Sequence, residues 1–158
     1  DSMQIVMREQ LLEAKSEATA EFIAQYEAKE KDNMQLFVLT NTTPVLSLFR
    51  PAHGAIQLAF SLKEKRYGVL IQTQENENVT AVLAGTVVHV NYEIDNTYTI
   101  MVQHANYLSV YKNMTKTLKA VGDKVQAGET LAIMGELPLW FELWQDGQPV
   151  NPEEVIAF

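Results

Sequence analysis

A chain of 158 residues, 47% hydrophobic and 20% charged, is long enough for one globular domain plus a short extra element. Twelve basic residues against twenty acidic ones give a formal charge of -8, and no cluster of Lys and Arg with interleaved aromatics stands out, which argues against nucleic acid as a partner. The absence of Cys excludes a disulfide framework and a thiolate metal site, and it leaves the compartment open.

The chain starts Asp1-Ser2-Met3 without a charged, then apolar, leader, and no run approaches the roughly 20 apolar residues of a membrane span. That start does not read as a natural one, which leaves room for a signal peptide or membrane anchor upstream. From Gln4 to about Lys31 there is no Gly or Pro, and Met7, Leu11, Ala14, Ala18, Phe22 and Tyr26 recur at helical steps. An amphipathic helix is expected within residues 1–40. It reads either as a solvated helix lying on the domain or as the end of a coiled coil or juxtamembrane stalk, and its few heptads do not separate these.

After Thr40-Asn41-Thr42-Thr43-Pro44 the period changes to short β-branched and aromatic runs broken by Gly, Pro and Asn. Strands are expected at Leu46 to Phe49, Gly54 to Phe60, Tyr67 to Gln72, Thr80 to Val90, Tyr98 to Gln103, Leu108 to Tyr111, Thr130 to Met134 and Leu139 to Gln145. Gly122-Asp123 and Asp146-Gly147 are turn signals. A mainly β domain over residues 45–158 follows.

Within that domain several segments, in order, carry a resemblance. They are Phe49-Arg50-Pro51 with Gly54, Arg66-Tyr67-Gly68-Val69-Leu70-Ile71, Ala84-Gly85-Thr86-Val87, Ile100 to Asn106, Ser109-Val110-Tyr111-Lys112, Val121 to Glu129, and Trp140-Phe141-Glu142-Leu143-Trp144 closing in Gly147 to Pro152. Their order and spacing resemble the LytM-type, or M23, zinc metallopeptidases of bacterial cell envelopes, most of all a Bacteroidetes-like branch. The resemblance implies a LytM-type β-sheet with lipoyl-hybrid-like hairpins.

It also implies a site. Family enzymes bind one zinc through His-x-Gly-x-Asp and the second His of His-x-His, with a water in the open position. Two further histidines, the first of His-x-His and one two residues after a Tyr, orient that water. In this sequence the five positions carry Arg66, Leu70, Asn113, Pro138 and Trp140. Arg is a permanent cation without a lone pair to give, Leu and Pro side chains have no donor atom, an indole N–H only donates, and Asn cannot shuttle a proton near neutral pH. The resemblance therefore implies a non-catalytic relative with no zinc and no other cofactor, in which the five positions still share one cleft floor.

His53-Gly54-Ala55-Ile56-Gln57 imitates His-x-Gly-x-Asp, but the family ligand follows a lysine-rich turn like Lys63-Glu64-Lys65, which puts Arg66 in its place and leaves His53 at the surface. His104 and His89 read as structural. Between Gly135 and Trp140 only four residues intervene where active relatives carry a longer Gly/Ser-rich loop, so the peptide groove is remodelled as well. Trp140 reads as filling the vacated space or, less well, as a docking anchor.

Three functions compete. The leading one is a binding or regulatory module in the periplasmic envelope, docking on a peptidoglycan hydrolase such as an amidase, or on peptidoglycan. The second is an M23 endopeptidase with an unusual site. The third is a biotinyl or lipoyl carrier, suggested by Val121 to Leu131, but no Lys follows Gly128 to accept the group.

Overall fold

The computed structural model describes residues 19–24 and 48–158. Ten strands form one antiparallel sheet: β1 (Ala55–Leu58), β2 (Gly68–Gln72), β3 (Asn78–Thr80), β4 (Gly85–Tyr92), β5 (Tyr98–Gln103), β6 (Tyr107–Thr117), β7 (Lys124–Val125), β8 (Thr130–Met134), β9 (Leu139–Gln145) and β10 (Gln148–Val150). The path is β1-β2-β9-β6-β5-β4-β7, with β10 on β9 and β3 attached through β8 to β6. The mainly β architecture expected above is what is observed.

Alternation along the strands makes two faces. Val69 and Ile71 of β2, Tyr111 of β6 and Leu139, Phe141 and Leu143 of β9 enter the main core with Ile100, Val102 and Leu131. The intervening residues of the same strands, Leu70, Lys112, Trp140, Glu142 and Trp144, lie on the opposite face. That second face is closed over Met101, Leu108, Val110 and Trp144 by Ile23, which is 1% exposed.

Ile23 belongs to a helical stretch, residues 19–24, and the rest of the expected helix lies outside the described residues. Within the stretch the inward positions are Thr19 and Ile23, while Phe22 is half-buried. Phe22, on the expected stripe, packs against the same cluster, and Ile23 beside it is the more deeply buried. A helical residue adjoining the stripe packs as readily as one within it, and sequence period does not say which face meets a partner.

Other boundaries also moved. Of the strand expected from Leu46, the described part makes only an isolated bridge, Leu48 with Ile156. The run expected from Thr80 to Val90 is two strands, because residues 81–84 bend to bring Ala81 N–H to Glu129 O and Gly128 N–H to Ala81 O. The strand expected to stop at Tyr111 continues to Thr117 through a bulge at Asn113. Tyr98 pairs with Met114 and Thr99 with Lys112, which leaves Asn113 as the extra residue at φ 78°, a left-handed conformation that Asn tolerates.

Gly85 is required by close approach, since a Cβ there would lie 2.3 Å from Gln103 O and 2.9 Å from His104 Nδ1. Gly85→Ala is expected to destabilise the domain by about 1–3 kcal/mol, as overpacking does, because one of the two obstructing atoms is backbone. A lowered urea midpoint at unchanged slope would show it, and an unchanged midpoint would refute it.

Candidate functional site

Strands β2 and β9 run antiparallel with Leu70 directly opposite Trp140 and Gly68 opposite Glu142. On the other side of β9, Lys112 of β6 stands opposite Trp140 and Val110 opposite Glu142. One patch of sheet therefore carries Leu70, Trp140 and Lys112 in one row and Gly68, Glu142 and Val110 in the next. Leu70 is 6% exposed and Trp140 is 2% exposed, so the indole packs within the fold rather than toward a partner.

Polarity in this patch is concentrated on Glu142, which is fully buried. Trp140 Nε1–H donates to Glu142 Oε2 at 2.8 Å and Trp144 Nε1–H donates to Oε1 at 3.0 Å. Burial pushes the Glu142 carboxyl above the usual carboxylate range, while the Lys112 charge and the two indole donors pull it down. Lys112 is itself buried and makes its own interactions there. Glu142, Lys112 and Trp144 were not singled out as site residues from the sequence. The signal available was alternation, which puts Trp140, Glu142 and Trp144 on one face of β9, while bringing Lys112 of β6 to that face takes the strand register.

Asn113 and Pro138 also meet. The bulge turns the Asn113 side chain so that Nδ2 donates to Pro138 O at 3.0 Å, tying the short β8–β9 connection to β6. Arg66 is placed differently. It closes the lysine-rich turn, with Ser61 N–H donating to Arg66 O at 3.0 Å and Arg66 N–H to Ser61 O at 2.8 Å, and its Nε donates to Ala59 O at 3.0 Å. The structure thus pairs Leu70 with Trp140 and Asn113 with Pro138, and hooks Arg66 to the segment after β1.

None of these side chains can serve as a zinc donor set: a guanidinium, a leucine, an amide spent on a carbonyl, a proline and an indole whose N–H is spent on a carboxylate. Glu142 is the one strong donor in the patch, and both of its oxygens are engaged by indoles. Among the described residues no three His, Cys, Asp or Glu are arranged to hold a metal ion.

The histidines divide by environment. His53 is exposed. His89 is half-buried with its ring 4.6 Å from that of Phe22, and burial lowers its proton affinity. His104 is buried, with Nδ1 3.0 Å from Ala84 O and Nε2 2.7 Å from Ser109 Oγ. A carbonyl only accepts, so Nδ1 carries the proton and Nε2 accepts from Ser109. The geometry is that of a Ser–His pair, but Ser109 is fully buried and His104 is 4% exposed, so no substrate can reach the hydroxyl.

That burial lowers the His104 pKa to about 4. The unfolded chain takes up the proton first as pH falls below about 6.5, so the stability His104 contributes is complete above that value and is lost down to about 4, in all about 3 kcal/mol. Glu142, with its raised value, contributes with the opposite sign. The His104 share is isolated by urea titrations of the parent and His104→Gln. The variant is expected to be less stable at neutral pH and to have a flatter pH profile below it, and parallel profiles would refute the assignment.

The strand after Arg66 pairs with the strand holding Trp140 within one antiparallel sheet. The model described as Peptidase family M23 matches residues 64–152. The chain belongs to peptidase family M23. No curated protein matches it by sequence.

Solved structures of similar fold include Helicobacter pylori Csd3, at 20% identity and TM-score 0.66 over 72% of this chain and 34% of Csd3. A zinc-containing peptidase from Vibrio cholerae matches at 20% identity and TM-score 0.51, over 70% of this chain and 38% of that one. The SpoIIQ–SpoIIIAH pore-forming complex contains a third, at 22% identity and TM-score 0.54, over 70% of this chain and 72% of that one. At these identities the likeness is one of fold, and the chain spans about a third of the length of Csd3.

Proposed function

We propose that this M23 domain is a non-catalytic binding or regulatory module of the bacterial cell envelope, with its ligand and catalytic positions at Arg66, Leu70, Asn113, Pro138 and Trp140 given over to other residues. The observation that carries the reading is the buried Leu70–Trp140 pair. At the two ligand positions we assign to them, Leu70 and a Trp140 indole already bonded to Glu142 offer a metal no lone pairs, which supports the reading. The domain we propose comprises residues 45–158, with residues 1–40 as a separate N-terminal segment.

The partner class we propose is an envelope protein such as a peptidoglycan hydrolase of the amidase type, or peptidoglycan itself, met in the periplasm. A chain of similar fold is found in the SpoIIQ–SpoIIIAH pore-forming complex, which supports a protein-docking role for such a domain. The test is zinc content after dialysis against zinc, with turnover of purified peptidoglycan and sedimentation with sacculi. Far less than one equivalent of zinc and no cleavage are expected. Stoichiometric zinc with cleavage would establish the endopeptidase reading instead.

A further inference from the structure

Glu142 joins two places on the sheet that have different neighbours. Its Oε2 holds Trp140, which stands opposite Leu70 and Lys112 at the floor of the vestigial site. Its Oε1 holds Trp144, which lies against Tyr67 and under Ile23 of the helical stretch, with Leu108, Val110 and Met101. Both donors are indole N–H groups that can only donate, so each needs an acceptor, and a carboxylate is the one side chain that offers two acceptors without a proton.

We infer that Glu142 is a proton-operated latch between the floor at Trp140 and the helix-covered patch at Trp144: ionised it holds both indoles, and on taking up one proton from solvent it releases Trp144. Protonation turns one carboxylate oxygen into a hydroxyl, which cannot accept well from an N–H while its own hydrogen points along the same line. One indole must then find another acceptor. Trp140 is the more deeply enclosed, and an orphaned donor there carries the full cost of a buried unpaired group. Trp144 is 5% exposed, has the longer bond and sits at the margin of the patch where water can replace the lost oxygen. Freeing it loosens the contact that Ile23 makes, so acidification uncovers Leu108, Val110 and Met101.

The charges around Glu142 suit this behaviour. Strand β6 contributes Lys112, whose cation favours the ionised form, while β2 contributes Gly68, without charge. The helical stretch presents Ile23 and leaves Glu21 exposed. His89 lies three strands away in the same row, beyond Val110 and Met101, against Phe22. Burial raises the Glu142 carboxyl, so it takes up its proton above the usual carboxylate range.

The experiment uses the whole chain, whose only two tryptophans are these. The two indole N–H resonances are followed by NMR from about pH 8 to 4.5, a range that spans raised carboxyl values. The Trp144 resonance is expected to move, with about tenfold faster exchange with solvent, while Trp140 stays protected, and the Ile23 amide should lose protection with the same midpoint. In Glu142→Gln both signals should be independent of pH. In Lys112→Met the midpoint should rise, because the cation that opposes protonation is gone, and in His89→Gln it should stay where it is. Indole signals that do not move, release of Trp140 in place of Trp144, a titration that persists in Glu142→Gln, or a midpoint that follows His89 would each overturn the latch. Should Glu142→Gln fail to fold, the direction of the Lys112→Met shift decides.

Discussion

Replacing Arg66 and Trp140 by His and Leu70 by Asp is expected to yield a domain that is much less stable than the parent without metal and regains stability with zinc. Leu70 and Trp140 are direct partners across β2 and β9 and both are buried. An aspartate at position 70 buries a carboxylate, which costs several kcal/mol, and loss of the large Trp140 side chain costs about 3–5 kcal/mol in transfer and cavity terms. Trp140→His also takes a donor from Glu142 Oε2. Against a total stability of about 5–15 kcal/mol for a domain of this size, the apo variant stands near the edge of folding.

Zinc then acts by linkage. Two imidazoles and a carboxylate at about 2.0–2.2 Å form a three-ligand site with an open position, and metal at 100 times its dissociation constant returns about 2.7 kcal/mol. The melting temperature of the variant should rise with zinc by several degrees, and that of the parent should not. Peptidoglycan cleavage should remain absent, since Asn113 and Pro138 supply no proton shuttle. Calorimetry with and without zinc decides: a variant that folds and shows no zinc-dependent shift removes these positions as the former ligand set. Arg66 is the most exacting member, because its backbone is fixed by the turn to Ser61 and its side chain is now drawn toward Ala59.

The second large effect is expected at the buried charges. Glu142→Leu leaves Lys112 without its counter-charge and two indole N–H groups without acceptors, and breaking a buried pair in this way costs about 3–5 kcal/mol. Lys112→Met is expected to cost less, because the carboxyl escapes its buried charge by taking up a proton while still accepting from one indole. The double variant Lys112→Met with Glu142→Leu should recover part of the loss, giving a favourable coupling of about 1–3 kcal/mol in a double-mutant cycle. Urea unfolding of the four proteins at neutral pH measures it. Strict additivity would mean that the two residues do not share the site, contrary to the arrangement of β6 and β9.

Much of this protein was legible in the residues alone, for reasons that are local. The alternation of apolar with polar side chains and the Gly, Pro and Asn punctuation are enough for a mainly β domain, since a strand exposes its period in sequence. The ordered motifs around Gly68, Gly85, Gly122 and Trp140 were enough to place the family, because turn and close-approach residues recur at fixed spacing. The lack of donors at Arg66, Leu70 and Trp140 is likewise a property of side-chain chemistry, readable once a position is assigned.

The pairing of charges was decided only by tertiary structure. Lys112 and Glu142 are 30 residues apart, and which lysine meets which glutamate depends on the register of β6 against β9, where a one-residue slip would send either side chain to the other face. The bulge at Asn113 is invisible in a propensity pattern, because it arises from the mismatch between β5 and β6. The full burial of Ile23, with Phe22 half-buried beside it, was set by the sheet face the stretch covers. A helix stripe defines an arc of candidates, and contact with Leu108, Val110 and Trp144 selects among them by burial.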